Sequence, residues 1–153
     1  MNKYGHVLNG LLLGIGLGFI LSPTGDIETL RMIVAVTVPV SLGALFPDID
    51  TEFGTHRKTL HNLPVLGMFF VFPVIFDNLH YVWIGVLTHY VLDVVGSKRG
   101  IALFYPFPRE YGFPTGVTTK DHHANAVTLL ITGGELVVIY AVVYGAGQYG
   151  LVF

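Results

Sequence analysis

Five apolar segments, at residues 4–21, 32–47, 60–76, 78–95 and 124–145, take up most of this 153-residue chain. A helix that crosses a bilayer needs about 20 apolar residues, with a lower limit near 17. The middle three segments are short by that measure, so they would tilt little, thin the bilayer or lie behind neighbouring helices. Only 12% of the residues are charged and 52% are hydrophobic, with mean hydropathy +0.65. Ordinary soluble domains carry about 25% charged residues. In water, a chain of this length could not bury so much apolar surface without leaving large exposed patches. The expectation is one integral-membrane domain, 1–153: an all-α, polytopic helical bundle of about five transmembrane helices with a polar site on its cytoplasmic side. The apolar start after Lys3 resembles a signal peptide, but Leu21-Ser22-Pro23 offers no small-residue cleavage site, so it reads as a retained first helix.

Absence of cysteine removes disulfides, thiolate metal sites and cysteine nucleophiles. The net charge of −2 gives no reason to expect a nucleic-acid partner. The placement of the charges is more informative. With five spans, one side of the membrane holds Lys3, Arg57, Lys58, Lys98, Arg99, Arg109 and Lys120, and the other holds Arg31. That split puts the N-terminus and the 47–60 and 96–123 loops in the cytoplasm, and the C-terminus outside. Within the first segment, Gly10, Gly14 and Gly18 fall at four-residue spacing, a stripe on which a second helix can pack closely. In the 96–123 loop, Pro106, Pro108 and Pro114 block a regular helix. Its Phe104, Tyr105, Phe107, Tyr111 and Phe113 suit the headgroup level, so it reads as an interfacial lid or re-entrant turn.

The polar outliers converge. His6 opens the first segment, Asp48 and Asp50 follow the second, and His56 and His61 lead into the third. His89 and Asp93 lie four apart near the end of the fourth, and therefore on one helix face. Ionisable residues inside an apolar helix are costly and usually face an interior with a function. Each residue alone has a plain explanation as a turn, cap or interfacial side chain. Together, seven His/Asp side chains reach one membrane depth, and such a set suits zinc, with manganese or iron as alternatives. Three or four of them would serve one ion, and six or seven could serve two. A calcium loop fits poorly, because Gly54 is one position late and Thr59 stands where glutamate is needed. Outside the cluster, Glu135 falls mid-helix, as a functional group or as a protonated, hydrogen-bonded one. Asp121-His122-His123 reads as a solvated helix start.

Four blocks carry a family resemblance: Gly5-His6, LFPDID at 45–50, HRKTLH at 56–61, and GVLTHYVLDVVGSKRGIALFYPF at 85–107. With these the chain resembles the YdjM-like family, described as LexA-regulated, inner-membrane metal-dependent hydrolases. The resemblance implies a metal-dependent hydrolase with site residues His6, Asp48, Asp50, His56, Arg57, His61, His89 and Asp93. The chain departs from the family at Thr51, Lys58 and Leu60, so a ligand at position 51 is absent.

A bound divalent cation lowers the pKa of its water toward ~7, and an unligated member of the cluster would carry the proton. Asp50 and His61 are expected in that catalytic role. Arg57, Lys58 and Arg99 are expected to hold a substrate phosphate, since arginine grips it with two hydrogen bonds. Headgroup depth points to membrane lipid as partner and to a phosphoester or lipid-linked substrate. The alternatives are a metal-binding or transport protein without hydrolysis, and a structural membrane protein that uses the glycine stripe.

Overall fold

The computed structural model describes residues 3–114, 116–118 and 121–148, with side chains through 145. Lys120 and residues 149–153 lie outside them. Among the described residues the protein is helical: α1 (Lys3–Leu21), α2 (Ile27–Leu45), a 3₁₀ turn (Pro47–Ile49), the one-turn α3 (Asp50–Phe53), α4 (Leu63–Phe76), α5 (Val82–Val95) and α6 (Ala124–Gln148). Three stretches are long and apolar enough to cross a membrane: Lys3–Leu21, Ile27–Phe53 and Ala124–Gly145. The helices α4 and α5 have 14 residues each, about 21 Å at 1.5 Å per residue.

Helix boundaries follow side-chain caps more than hydropathy. Asp26 caps α2 by accepting the backbone N–H groups of Glu28 and Thr29, so that helix begins five residues before the uncharged run. Its first turns carry the exposed Glu28–Arg31 pair. Asn62 caps α4 through the Val65 N–H, with Pro64 in the first turn, which moves its start from 60 to 63. Asp77 closes α4 in the left-handed region (φ 50°), and α5 begins only at Val82.

The glycine stripe is a packing seam. A Cβ added to Gly14 would lie 2.5 Å from the Thr37 Cα, and one added to Gly18 would lie 2.5 Å from the Ile33 Cα. At the other face of α2, Gly43 and Gly85 let α5 cross at the same close range. Leu13, Leu17, Val36 and Val40 form the core between α1 and α2, while α4 buries no residue and presents Phe70, Val74 and Ile75 outward. Side chains of that kind belong in lipid.

The loop after α5 folds back over the site end of the bundle. Its backbone pairs at Ser97–Val117 and Ile101–Tyr111. It is tied down by Ala102 N–H to the Arg57 carbonyl and by Leu63 N–H to the Leu103 carbonyl. Ile101 is buried, while Phe104, Tyr105, Phe107 and Phe113 are exposed.

Candidate metal centre

Four chain segments bring the His/Asp side chains together. The first turn of α1 supplies His6, and the turn after α2 supplies Asp48 and Asp50. The 54–62 loop supplies His56 and His61, and one face of α5 supplies His89 and Asp93. His6, Asp50, His61, His89 and Asp93 are buried; Asp48 and His56 are partly exposed.

Hydrogen bonds fix the imidazole tautomers. His89 Nδ1 lies 2.6 Å from the Ala44 carbonyl, which can only accept, so Nδ1 carries the proton. Ala44 stands in the last turn of α2, where carbonyls have no partner within the helix. His61 Nδ1 lies 2.9 Å from Asp50 Oδ2 and donates to it. Both Nε2 atoms are then left as lone pairs, and they face each other at 3.1 Å. Two lone pairs repel at that distance unless a cation lies between them. Two carboxylate oxygens complete the set. Asp93 Oδ2 is 3.7 Å from each Nε2, and Asp48 Oδ1 is 3.9 Å from His61 Nε2 and 3.7 Å from His89 Nε2. Zinc bonds of about 2.0–2.1 Å place tetrahedral donors about 3.3 Å apart. Each carboxylate oxygen thus stands within about 0.6 Å of that spacing from both imidazole nitrogens, close enough for small side-chain shifts to close a shell on a cation. Burial lowers the pKa of His61, which precedes α4, despite the opposing charges of Asp50, Asp93 and Asp48; the neutral form suits a ligand.

The remaining site residues take supporting places. Asp50 accepts from His61 and also lies 3.0 Å from His56 Nδ1, so it stands behind both histidines. This is the carboxylate–histidine arrangement that orients metal ligands. Asp50, expected to carry a proton, is buried with both oxygens against imidazoles, a place that also suits it to orient them. His6 stacks on the His89 ring with centroids 3.7 Å apart, its Nε2 3.5 Å from Asp93 Oδ1 and its Nδ1 without a hydrogen bond.

Arg57 lies elsewhere than at the loop surface. Expected to face substrate, it is buried and turned inward, with Nη2 3.2 Å from Asp93 Oδ1 and 3.3 Å from Ser97 Oγ. Its Nη1 donates to the Arg99 and Gly100 carbonyls. Arg57 also has φ 68°, a left-handed backbone that is uncommon outside glycine. Lys58 and Arg99 are on the loop side and share Glu110, at 3.8 Å and 3.5 Å.

Sequence reasoning missed the Ala44 carbonyl, Ser97, Glu110 and Tyr90. The Tyr90 hydroxyl donates to the Leu60 carbonyl and accepts from Asn62 N–H, which pins the turn that carries His61. The signal for Tyr90 was its place next to His89; the others carried none. Glu135 accepts from Asn9 Nδ2 at 2.9 Å, and Thr88 Oγ1 lies 2.6 Å from both Glu135 Oε1 and Asn9 Oδ1. One threonine proton cannot serve two acceptors, so the ring closes with a proton on the Glu135 carboxyl. Asp121 accepts from His123 N–H, which holds its carboxyl below the usual range, and its triplet stands at the start of α6 as expected.

Because Asp50 acts through its histidines, Asp50→Asn is expected to lower metal affinity about 10–100-fold while the protein stays folded. Competition with a chelator of known affinity measures this, and parental affinity would remove Asp50 from the site.

Fold and site together define a polytopic helical membrane protein with a buried His/Asp cluster able to hold a metal ion. Over residues 1–152 the chain matches the family described as YdjM inner membrane protein, and it belongs to that family. Comparison with curated proteins and with solved structures finds no match.

Proposed function

We propose that this chain is a membrane-embedded, metal-dependent hydrolase, acting on a phosphoester or lipid-linked substrate at the cytoplasmic face of the inner membrane. The observation that carries the reading is the pair of imidazole lone pairs held 3.1 Å apart between two carboxylates. Zinc suits two histidines and two aspartates, and manganese or iron suit them as well. One ion is the better fit, because Asp93 Oδ1 already faces Arg57.

A divalent cation there supplies a Lewis acid for the phosphoryl group and lowers the pKa of a water. The chain's own residues do the rest. Asp50 holds His61 and His56, and His56, with its side chain 40% exposed, can take a proton at Nε2 at the mouth of the site. Asp48 is the most exposed of the four proposed donors, so a water or a substrate oxygen would reach a bound cation from its side. Lys58 and Arg99 would meet an anionic group by exchanging Glu110 for it. The seven-to-one charge split supports cytoplasmic placement of the N-terminus and this face, with the C-terminus outside.

The test is elemental analysis of protein purified in detergent without added metal. About one equivalent of metal is expected in the parent, and little in His61→Ala or His89→Ala. A metal-free parent, or variants with full occupancy, would overturn the reading.

One observation favours a transport reading: Asn9, Thr88, Thr132 and Glu135 continue the polar interior one turn beyond the cluster. Leu13, Leu17, Val36 and Val40 form an apolar core between α1 and α2, which weighs against a polar path through that part of the bundle. Metal uptake by proteoliposomes would raise it.

A further inference from the structure

Beside the metal centre lies a cavity of about 250 Å³, lined by Lys3, Leu45, Asp48, Ile49, Thr51 and Glu52. Asp48 belongs to both: one of its oxygens joins the donor shell and its side chain walls the cavity. Two opposite charges border this space without cancelling each other. Every other acidic side chain of the chain has a hydrogen bond or an ion pair within 4.0 Å. Glu52 has neither. Lys3 likewise has no ion pair among the described residues, whereas Arg31, Arg57, Lys58 and Arg99 each have one. Ile49, in the lining, is 47% exposed near the end of a membrane-spanning stretch, so the cavity has an apolar wall as well as charged ones.

We propose that this cavity binds the headgroup of a phospholipid carrying a primary amine, with Lys3 facing the phosphate and Glu52 the ammonium. The proposal deepens the hydrolase reading and rests on it for the role of Asp48. Each alternative headgroup leaves a charge unanswered. An anionic lipid without an amine meets the carboxylates of Glu52 and Asp48 with nothing to offer them. A quaternary ammonium is recognised by aromatic faces, and none of the described residues lining the cavity is aromatic. A primary ammonium donates hydrogen bonds to a carboxylate, and such charge-assisted bonds are the strong ones. Leu45 and Ile49 accept the start of the lipid's apolar part at the depth where the bilayer supplies it.

Binding tests this in the full-length protein in detergent micelles. Short-chain phosphatidylethanolamine, phosphatidylcholine and phosphatidylglycerol are titrated, with water-soluble phosphoethanolamine as the chain-free arm. One carboxylate–ammonium hydrogen bond is expected to favour the ethanolamine lipid about tenfold over the other two. Phosphoethanolamine alone is expected to bind more weakly, and stronger binding by it would make the ligand a soluble zwitterion and overturn the lipid assignment. Glu52→Gln should erase the preference among lipids, and Lys3→Gln should weaken all three. Bound metal, measured on the same samples, reports that the site remains folded. Equal binding of the three lipids, or a preference that survives Glu52→Gln, overturns the proposal. A parent that prefers the amine but holds no metal sinks the hydrolase reading and keeps the headgroup site. A parent with metal but no preference does the reverse.

Discussion

Alanine at Asp93 is expected to empty the metal centre and to destabilise the protein by about 3–5 kcal/mol. One carboxylate has two sets of partners. Oδ2 is 3.7 Å from the Nε2 of both His61 and His89, and Oδ1 is 3.2 Å from the buried Arg57 guanidinium and 3.5 Å from His6 Nε2. Removing it subtracts a donor from the cluster and leaves a guanidinium buried beside no countercharge. Uncompensated buried charge is the expensive outcome, whereas replacing both members of such a pair by apolar residues is often neutral. The double variant Arg57→Met/Asp93→Leu is therefore expected to recover much of the stability and none of the metal. Thermal unfolding in detergent, with metal content on the same samples, separates the two effects. Parental stability in the single variant would show that Arg57 does not depend on Asp93.

A single methyl group at Gly85 is expected to be nearly as damaging, though Gly85 touches no ligand. A Cβ there would lie 2.0 Å from the Val40 carbonyl oxygen and 2.6 Å from the Ala44 nitrogen. Both obstacles are backbone, so no side chain can turn aside and α2 must move away from α5. Overpacking costs about 1–3 kcal/mol where neighbours can adjust, and more is expected where they cannot. The same displacement pulls the Ala44 carbonyl off His89 Nδ1, and the imidazole loses the partner that fixes its tautomer. Metal affinity should fall about 10–100-fold. Gly67→Ala, in a position with nothing within 4 Å, should be neutral or slightly stabilising because alanine is the better helix former. Equal behaviour of the two variants would refute the close-crossing account.

Hydropathy and charge exposed the bundle in the sequence, because lipid-facing helices such as α4 need no amphipathic pattern and read as plain apolar runs. The gathering of His6, Asp48, Asp50, His56, His61, His89 and Asp93 was legible for a related reason: in an apolar chain every polar side chain stands out. What lay beyond reach was direction. The helix starts at Ile27 and Leu63 depend on whether Asp26 and Asn62 turn their side chains back onto the chain. Arg57 is a positive residue by any count, and only its left-handed backbone and the loop it ties at Arg99 and Gly100 turn it inward. The Ala44 carbonyl belongs to no motif, since any residue supplies one; the close approach at Gly85 gives it its use.

The hairpin of α4 and α5 carries one more consequence, for the membrane itself. Each arm reaches about 21 Å, against a hydrocarbon thickness of about 30 Å. Its tip carries the Asp77–His80 pair at 3.2 Å, with Asp77 almost fully exposed, and such a pair belongs in water. If the hairpin crosses the bilayer, local thinning would bring that tip to water, at a cost of fractions of a kcal/mol per Å of mismatch. Lipids beside the hairpin would stand shorter than those in the bulk, their ester region drawn inward toward the level of His89. The protein would carry its own thin spot through the membrane and gather where the bilayer is already thin.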